Sequence, residues 1–175
     1  MKAMIMSVVA VFGVFLTACT QQSTEPAQST AEQLPSKAEL TENVLAAYER
    51  LRSQLANDGV VSAGDFERLA EAVRGASNAF SGEAKGHLEQ LASSAESRAA
   101  GAAEGLDQAR EAFGEVSRHL IAILSADPDL AKGQHVFECP MAKSYPKWVQ
   151  QSATVSNPYM GSEMATCGVA SEWRP

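Results

Sequence analysis

The sequence has few aromatic residues, few cysteines and a deficit of basic charge. Aromatic residues make up only 6% of its 175 residues, which favours a helical core of small side chains over a β-sandwich. Its 14 basic residues are outnumbered by 21 acidic ones, the formal net charge is −7, and no basic run occurs. Because a nucleic-acid-binding protein needs a basic surface to displace counterions, we expect no nucleic-acid partner. The hydrophobic fraction of 45% is sufficient for a core, which argues against a disordered chain.

Catalytic motifs are also missing from the sequence. It contains no CxxC pair, no glycine-rich phosphate loop and no Ser/His/Asp nucleophile motif. The acidic residues are scattered over polar helix faces, and no carboxylate pair for acid–base catalysis is visible. We therefore expect a protein that is not an enzyme.

Residues 1–18 predict a signal peptide. Lys2 is their only charged residue, and the apolar run over residues 3–15 is shorter than the roughly 20 residues that span a bilayer. Residues 16–19, Leu-Thr-Ala-Cys, resemble a bacterial lipobox, in which cleavage precedes the cysteine and Cys19 becomes acylated. Thr20 follows in place of Asp, which is typical of lipoproteins sorted to the outer membrane. We expect a lipoprotein on the periplasmic face of that membrane, held through its lipid anchor only and with a net charge of −8 after cleavage.

Residues 19–36 combine the lipidated cysteine with a predicted flexible tether. Residues 20–36 read TQQSTEPAQSTAEQLPS, which is polar and almost without large apolar side chains. Such a segment lacks the apolar surface for a packed core and holds the following domain away from the membrane. Residues 37–175 are predicted to form one domain, a helical bundle followed by a sulfur-rich C-terminal segment.

Residues 37–134 have the composition of helices. Proline is absent between Pro35 and Pro128, and alanine accounts for 21 of the 98 residues. Alanine loses no side-chain entropy in a helix, whereas proline breaks the hydrogen-bond ladder. Apolar residues recur at helical spacing in four stretches separated by turn residues. These stripes are Leu40, Val44, Tyr48, Leu51 and Leu55; Phe66, Leu69, Val73, Ala76 and Phe80; Leu88, Leu91, Ala95 and Ala99; and Leu106, Ala109, Phe113, Val116, Leu120 and Leu124.

Local signals place the ends of these helices. Ser36 with Glu39 predicts a capping box at the first helix, and a second helix starts near Ser62. Residues 99–105 are the predicted turn before the fourth helix, which ends before Pro128. Short connections between amphipathic helices predict an all-α fold, an antiparallel four-helix bundle with an irregular C-terminal segment packed on it.

Residues 135–175 differ from the bundle in composition. They contain four of the seven prolines, both tryptophans and two of the three tyrosines. We expect mostly irregular chain with a short strand over residues 135–138. Burial of Phe137, Trp148, Tyr159 and Val169 is expected to pack this segment against the bundle.

Sulfur is absent from the bundle and concentrated in residues 139–167. Cys139 is followed closely by Met141, and Met164 is followed by Cys167. Thiolate and thioether sulfur are soft donors, which select Cu(I) and similar ions over Zn(II), Mg(II) or Ca(II). These four residues are therefore candidate ligands of a soft metal ion. His135, four residues before Cys139, is an additional candidate ligand.

The same two cysteines support an alternative interpretation. In an oxidising compartment two cysteines most often form a disulfide. A Cys139–Cys167 bridge would close a loop of about 29 residues and stabilise the protein by about 3–4 kcal/mol. The protein would then be an envelope interaction module without a metal. Spacing leaves both interpretations open, and one pair of cysteines can bind metal when reduced and form the bridge when oxidised.

Other residues of chemical interest are interpreted as structural. Asn157 precedes a proline and favours a turn, and Trp148 and Tyr159 are expected to shield the sulfur atoms rather than to recognise a ligand. His119 in the fourth helix could face the C-terminal segment, but a lone helical histidine is more often a surface or core residue than a ligand, and the sequence pattern identifies no partner for His87.

The C-terminal motif resembles the DUF3347 family. Residues 139–141 read Cys-Pro-Met, Trp148 and Gln150 follow, and residues 157–168 read NPYMGSEMATCG. The family pattern is approximately CPM, then W-L-Q, then NPY-x-G-x-x-M-x-x-CG.

The resemblance extends into the fourth helix. Arg110, Phe113 and Ser117 match the R-x-x-F-x-x-x-S pattern of the family, so the similarity spans about residues 40–170. Members resemble a helical bundle with a sulfur-bearing C-terminal segment. They occur alone as exported proteins or attached to membrane fusion proteins of heavy-metal efflux pumps.

The resemblance implies that the protein handles copper or silver in the periplasm. It implies Cys139, Met141, Met164 and Cys167 as ligands of Cu(I) or Ag(I). The expected function is that of a chaperone or buffer in metal efflux or delivery. The expected protein partner is a component of an efflux pump or of cuproprotein assembly.

Overall fold

The computed structural model describes residues 35–102 and 104–175. The predicted signal peptide, the predicted lipidation site Cys19 and residues 20–34 of the predicted tether lie outside the described residues.

Four helices make up most of the described chain. They are α1 (Lys37–Ala56), α2 (Ala63–Ser77), α3 (Gly82–Ala102) and α4 (Leu106–Ala126). Each helix packs on the next one along the chain, and α1 also contacts α4, so the four helices form a bundle. The predicted helical bundle is confirmed. No helix in the described part of the chain has the length and apolar character that a membrane span requires.

Side-chain caps start the first two helices where the sequence predicts them. The Ser36 hydroxyl accepts a hydrogen bond from the Glu39 amide at 3.2 Å, and the Glu39 carboxylate accepts one from the Ser36 amide at 2.7 Å. At α2, the amide and hydroxyl of Ser62 both donate to the Asp65 carboxylate, at 2.9 and 2.7 Å. These bonds satisfy backbone donors that a helix start leaves unpaired.

The predicted apolar stripes form the core. Leu55, Phe66, Leu69, Leu91 and Phe113 are completely buried. The stripe of α3 continues with Ala95 and Ala99, whose small side chains allow neighbouring helices to approach closely.

The structure differs from the sequence-based prediction at the end of α3. The helix continues to Ala102, whereas the sequence predicted a turn from residue 99. Ala99 is buried in the core, and alanine is the best helix former, so these residues extend the helix despite Gly101.

The C-terminal segment forms a small three-stranded sheet. Its strands are β1 (His135–Glu138), β2 (Lys147–Gln150) and β3 (Val169–Ala170). The order is β2-β1-β3 with antiparallel pairing on both sides, and β2 packs on α4. A 3₁₀ turn at Gly161–Met164 precedes β3. The predicted strand over residues 135–138 is confirmed.

Three of the four side chains expected to pack the C-terminal segment are buried. Phe137 lies opposite Trp148 in the sheet, and the ring of Tyr159 meets that of Trp148 at a centroid distance of 5.9 Å. The prediction was wrong for Val169, which is 63% exposed. Val169 lies in β3, a two-residue edge strand, and β1 is the only strand that pairs with it among the described residues.

Candidate functional site

The sheet brings the two cysteines of the described chain together. Glu138 pairs with Val169 across β1 and β3, so the residue that follows β1 meets the segment that precedes β3. These positions hold Cys139 and Cys167, whose sulfur atoms lie 3.5 Å apart. Both are free thiols. We call them the thiol pair.

The two members of the thiol pair differ in exposure and support. Cys139 is completely buried, and its amide donates to the Pro146 carbonyl at 3.0 Å next to the β1–β2 ladder. Cys167 is half-buried and lies beyond the end of the 3₁₀ turn, with its amide bonded to the Met164 carbonyl at 2.9 Å. One thiol is thus fixed in the core, and the other lies on a surface segment.

Asn157 ties that surface segment together. Its side chain is completely buried, and its amide nitrogen donates to the Cys167 carbonyl at 2.5 Å. Its side-chain oxygen accepts from the amides of Tyr159 at 2.7 Å and Met160 at 3.1 Å. Its own backbone amide donates to the Ala165 carbonyl at 2.9 Å. This one residue therefore closes the loop from residue 157 to residue 167, which carries the second thiol.

An ion pair attaches the loop to the bundle. The guanidinium of Arg110 on α4 donates to the Asp58 carboxylate at 2.5 Å and to the Pro158 carbonyl at 3.2 Å. The other oxygen of Asp58 accepts hydrogen bonds from the amide and hydroxyl of Ser162 in the 3₁₀ turn. Hydrogen bonds from Ser162, and then those from Arg110, lower the pKa of Asp58. We call Asp58, Arg110 and Ser162 the clamp.

Gly161 fits under the clamp because it has no side chain. Its φ of +57° lies in the left-handed region. A Cβ at this position would overlap a carboxylate oxygen of Asp58 and lie 2.5 Å from the guanidinium of Arg110. The glycine in the NPY-x-G motif is thus explained by both backbone conformation and space.

Neighbouring buried polar groups connect the sheet to the bundle. The hydroxyl of Tyr48 on α1 bonds Ser117 on α4 at 2.7 Å and accepts from the Val149 amide in β2 at 3.2 Å. Burial raises the pKa of Tyr48, so its hydroxyl stays protonated and neutral. Arg52 donates to the Ser156 carbonyl at 2.8 Å. These contacts hold the sheet at a fixed place on α1 and α4.

The contact within the thiol pair affects the pKa of Cys167. The hydrogen bond between the two thiols is the largest cause that raises the pKa of Cys167 above its ordinary value, and desolvation adds to it. Cys167 is therefore protonated at neutral pH and becomes a thiolate only when a base or a metal ion removes its proton.

The predicted methionine ligands lie at the surface, two and three residues along the chain from the cysteines of the thiol pair. Met141 is 54% exposed and Met164 is 37% exposed, whereas Cys139 is buried. Met141 lines a pocket of about 190 Å³ together with Met160, a residue outside the predicted ligand set, and Met164 is not among the residues that line it. The sequence contains Met160 in the same sulfur-rich stretch, but nothing in its spacing indicated this pocket.

His135 lies away from the thiol pair. It is exposed at the start of β1, and its ring lies 6.2 Å from that of Phe137. Because a strand rises about 3.2–3.4 Å per residue, the four residues to Cys139 correspond to about 13 Å. Among the described residues, no group of three or more His, Cys, Asp and Glu side chains is arranged to hold a metal. The thiol pair therefore has no third ligand of these types there.

The structure also pairs two histidines that the sequence did not relate to each other. His87 on α3 and His119 on α4 have ring centroids 6.0 Å apart. Both residues lie at a similar distance along the chain from the turn that joins these two helices. This similar distance is the one feature of the sequence that favours the pairing.

Comparisons with known proteins gave no match: no family model, no curated protein and no solved structure is similar to this chain at significance. The resemblance to the DUF3347 family therefore stays a prediction that depends on the motif residues.

Proposed function

We propose that this protein is a lipid-anchored periplasmic protein that binds Cu(I) or Ag(I) as its cargo, as a chaperone or buffer in metal efflux or delivery. The observation that carries the proposal is the thiol pair, in which the sulfur atoms of Cys139 and Cys167 lie 3.5 Å apart although the two residues are 28 positions apart in the chain. Thiolates are the protein ligands that select soft monovalent ions most strongly.

The separation of the two sulfur atoms suits a shared ion. With metal–thiolate bonds of about 2.3 Å, two ligands of one ion lie about 3.7–4.0 Å apart at tetrahedral to trigonal angles. The thiol pair needs only a small outward movement of one sulfur atom to reach this distance. Cys167 is the member able to move, since it lies on a half-exposed loop while Cys139 is in the core.

The exposed thioethers of Met141 and Met164 supply further soft ligands at the protein surface. Met141 and Met164 lie two and three residues from the cysteines, in turns closed by the hydrogen bonds from Ala142 to Cys139 and from Cys167 to Met164. A thioether is neutral and releases a metal more easily than a thiolate does. Exposed methionines close in sequence to a partly buried thiol pair would let the ion pass to a partner by ligand exchange.

The proposal is tested by titrating Cu(I) without oxygen into the full chain in detergent, against a chromophoric Cu(I) chelator. A Cys19→Ser background leaves Cys139 and Cys167 as the only thiols. We expect one Cu(I) per chain. Loss of residues outside a coordination shell already costs about 10–100-fold in affinity, so Cys139→Ser and Cys167→Ser should each cost at least about tenfold.

Two methionine variants serve as a matched pair. Met164→Leu should weaken binding, whereas Met160→Leu, outside the proposed ligand set, should leave the affinity unchanged. If the chelator retains all the copper, the ligand assignment is wrong. The thiol pair would then support the alternative function, an envelope interaction module stapled by a Cys139–Cys167 disulfide.

A further inference from the structure

A second pair of potential ligands lies outside the sulfur-rich segment. His87 and His119 come from different helices, α3 and α4, and their ring centroids are 6.0 Å apart with an angle of 41° between the rings. Neither residue belongs to the C-terminal segment or to the thiol pair.

This separation matches two imidazoles bound to one ion. Imidazole nitrogen binds first-row metals at about 2.0–2.1 Å, which places the ring centroids of two ligands about 5–6.5 Å apart for angles from tetrahedral to linear. The observed distance falls within this range without any movement of the helices. Because both side chains extend from regular, packed helices, the pair is held in advance of binding.

The surroundings of the pair leave nitrogen available for a ligand. The Nδ1 atom of His87 is buried and has no hydrogen-bond partner in the described part of the chain. A buried polar atom without a partner is costly and rare, and a bound ion is one of the ways to satisfy it. Desolvation, and then the neighbouring His87, lower the pKa of His119, so its imidazole is in the neutral form that binds metals.

Charged residues close in sequence to the pair form ion pairs along the same helices. Glu115 and Arg118 on α4 form an ion pair at 3.5 Å, and Lys85 and Glu89 on α3 form one at 3.9 Å. These four residues together carry no net positive charge, so a divalent ion bound by the two histidines meets little net repulsion from them.

We propose that His87 and His119 form a site for a divalent transition-metal ion that bridges α3 and α4. Imidazole suits Cu(II), Ni(II) and Zn(II), and Cu(II) binds most tightly of these by the general order of affinities. The protein supplies two ligands, and water or an external ligand completes the coordination shell. The site is separate from the soft-metal site proposed above, and each is able to exist without the other.

The test uses the full chain in detergent with all three cysteines replaced by serine, so that no thiol reduces or binds the probe. Cu(II) is added in small steps while the carbon-bound ring protons of the three histidines are followed by NMR. We expect the resonances of His87 and His119 to broaden together at substoichiometric Cu(II) and those of His135 to stay sharp. Cu(II) should also raise the Tm, because it binds the folded state only.

Histidine variants give a matched comparison within the same chain. His87→Ala and His119→Ala should each weaken Cu(II) binding by at least about tenfold and abolish the rise in Tm. His135→Ala, which removes the same type of side chain from the exposed start of β1, should change neither. Equal broadening of all three histidines, or unchanged affinity in His87→Ala or His119→Ala, would overturn the proposal.

A second titration covers the case in which the serine variant does not fold. Ni(II), which does not oxidise thiols, is added to the reduced chain with its native cysteines. The same selective broadening of His87 and His119 over His135 is expected, and its absence is evidence against the site. Because the thiol pair plays no part in the readout, failure here leaves the proposed Cu(I) function untouched.

Discussion

Replacement of Gly161 by alanine tests whether the clamp positions the loop that carries the second thiol. Gly161 and Gly133 both have φ in the left-handed region, +57° and +76°. Alanine in this conformation costs about 1–2 kcal/mol at either position. The two sites differ in space, since no atom lies within 4 Å of a Cβ at Gly133, whereas a Cβ at Gly161 overlaps Asp58 and crowds Arg110.

The structure therefore predicts a larger loss of stability at Gly161. An extra methyl group in a well-packed place costs about 1–3 kcal/mol, which adds to the backbone term. We expect Gly161→Ala to lower the free energy of unfolding by about 2–5 kcal/mol and Gly133→Ala by about 1–2 kcal/mol. The difference between the variants isolates the contribution of the clamp, because the backbone term is shared.

The assay is equilibrium urea unfolding, followed by the fluorescence of the tryptophans. Trp148 is buried beside the loop, so its emission reports on this part of the fold. A second measurement repeats Gly161→Ala in an Asp58→Ala background, where the obstructing carboxylate is gone. There the extra loss of stability should become smaller. Equal losses for Gly161→Ala and Gly133→Ala, or the same loss of stability in both backgrounds, would refute the role assigned to the clamp.

Three further predictions concern the thiol pair and its support. Asn157→Ala leaves three backbone groups without partners and should lower the free energy of unfolding in urea by about 2–4 kcal/mol. The control Asn78→Ala, at an exposed position, should change it by no more than about 0.5 kcal/mol, and equal losses would contradict the role of Asn157 in closing the loop from residue 157 to residue 167. The pKa of Cys167 is raised chiefly by its hydrogen bond with Cys139, so its thiolate fraction at pH 8 is below that of a free thiol. Iodoacetamide should therefore label Cys167 slowly in the native pair and faster in Cys139→Ala, and an unchanged rate would contradict the effect of Cys139 on its pKa. In the Cys19→Ser background, diamide should consume two thiols per chain and form an intramolecular Cys139–Cys167 disulfide, since a movement of about 1.5 Å brings the two sulfur atoms to bonding distance. Disulfide-linked dimers would count against the pairing.

The helices could be predicted from the sequence because their signals are local. Each apolar stripe repeats within one helix, and the capping box at Ser36 needs only Glu39, three residues later. The strand β1 was also predicted, since it is a short run with aromatic and β-branched residues. These features depend on backbone conformation and on neighbours along the chain, which are properties that composition and spacing encode.

The contacts that build the candidate site could not be predicted in this way. Arg110 reaches Asp58 and Pro158, which are 52 and 48 residues away in the chain. No spacing rule relates such positions, because their distance depends on how α1, α4 and the loop pack together. The pairing of His87 with His119 also depends on packing, since their similar distance from the turn between α3 and α4 does not by itself fix the relative shift of the two helices. The exposure of Val169 reflects the shortness of β3, which the sequence did not indicate.

The unequal support of the two cysteines indicates how the thiol pair would respond to a ligand. Cys139 is bonded into the sheet beside β2, and β2 is fixed to α1 and α4 through the hydroxyl of Tyr48. Cys167 is held through Asn157 and the clamp, all of which act on one surface loop. A change in the distance between the sulfur atoms, inward to a disulfide or outward around a metal ion, therefore requires movement of that loop alone. The bundle has no need to rearrange, so binding and release would leave the core packing intact.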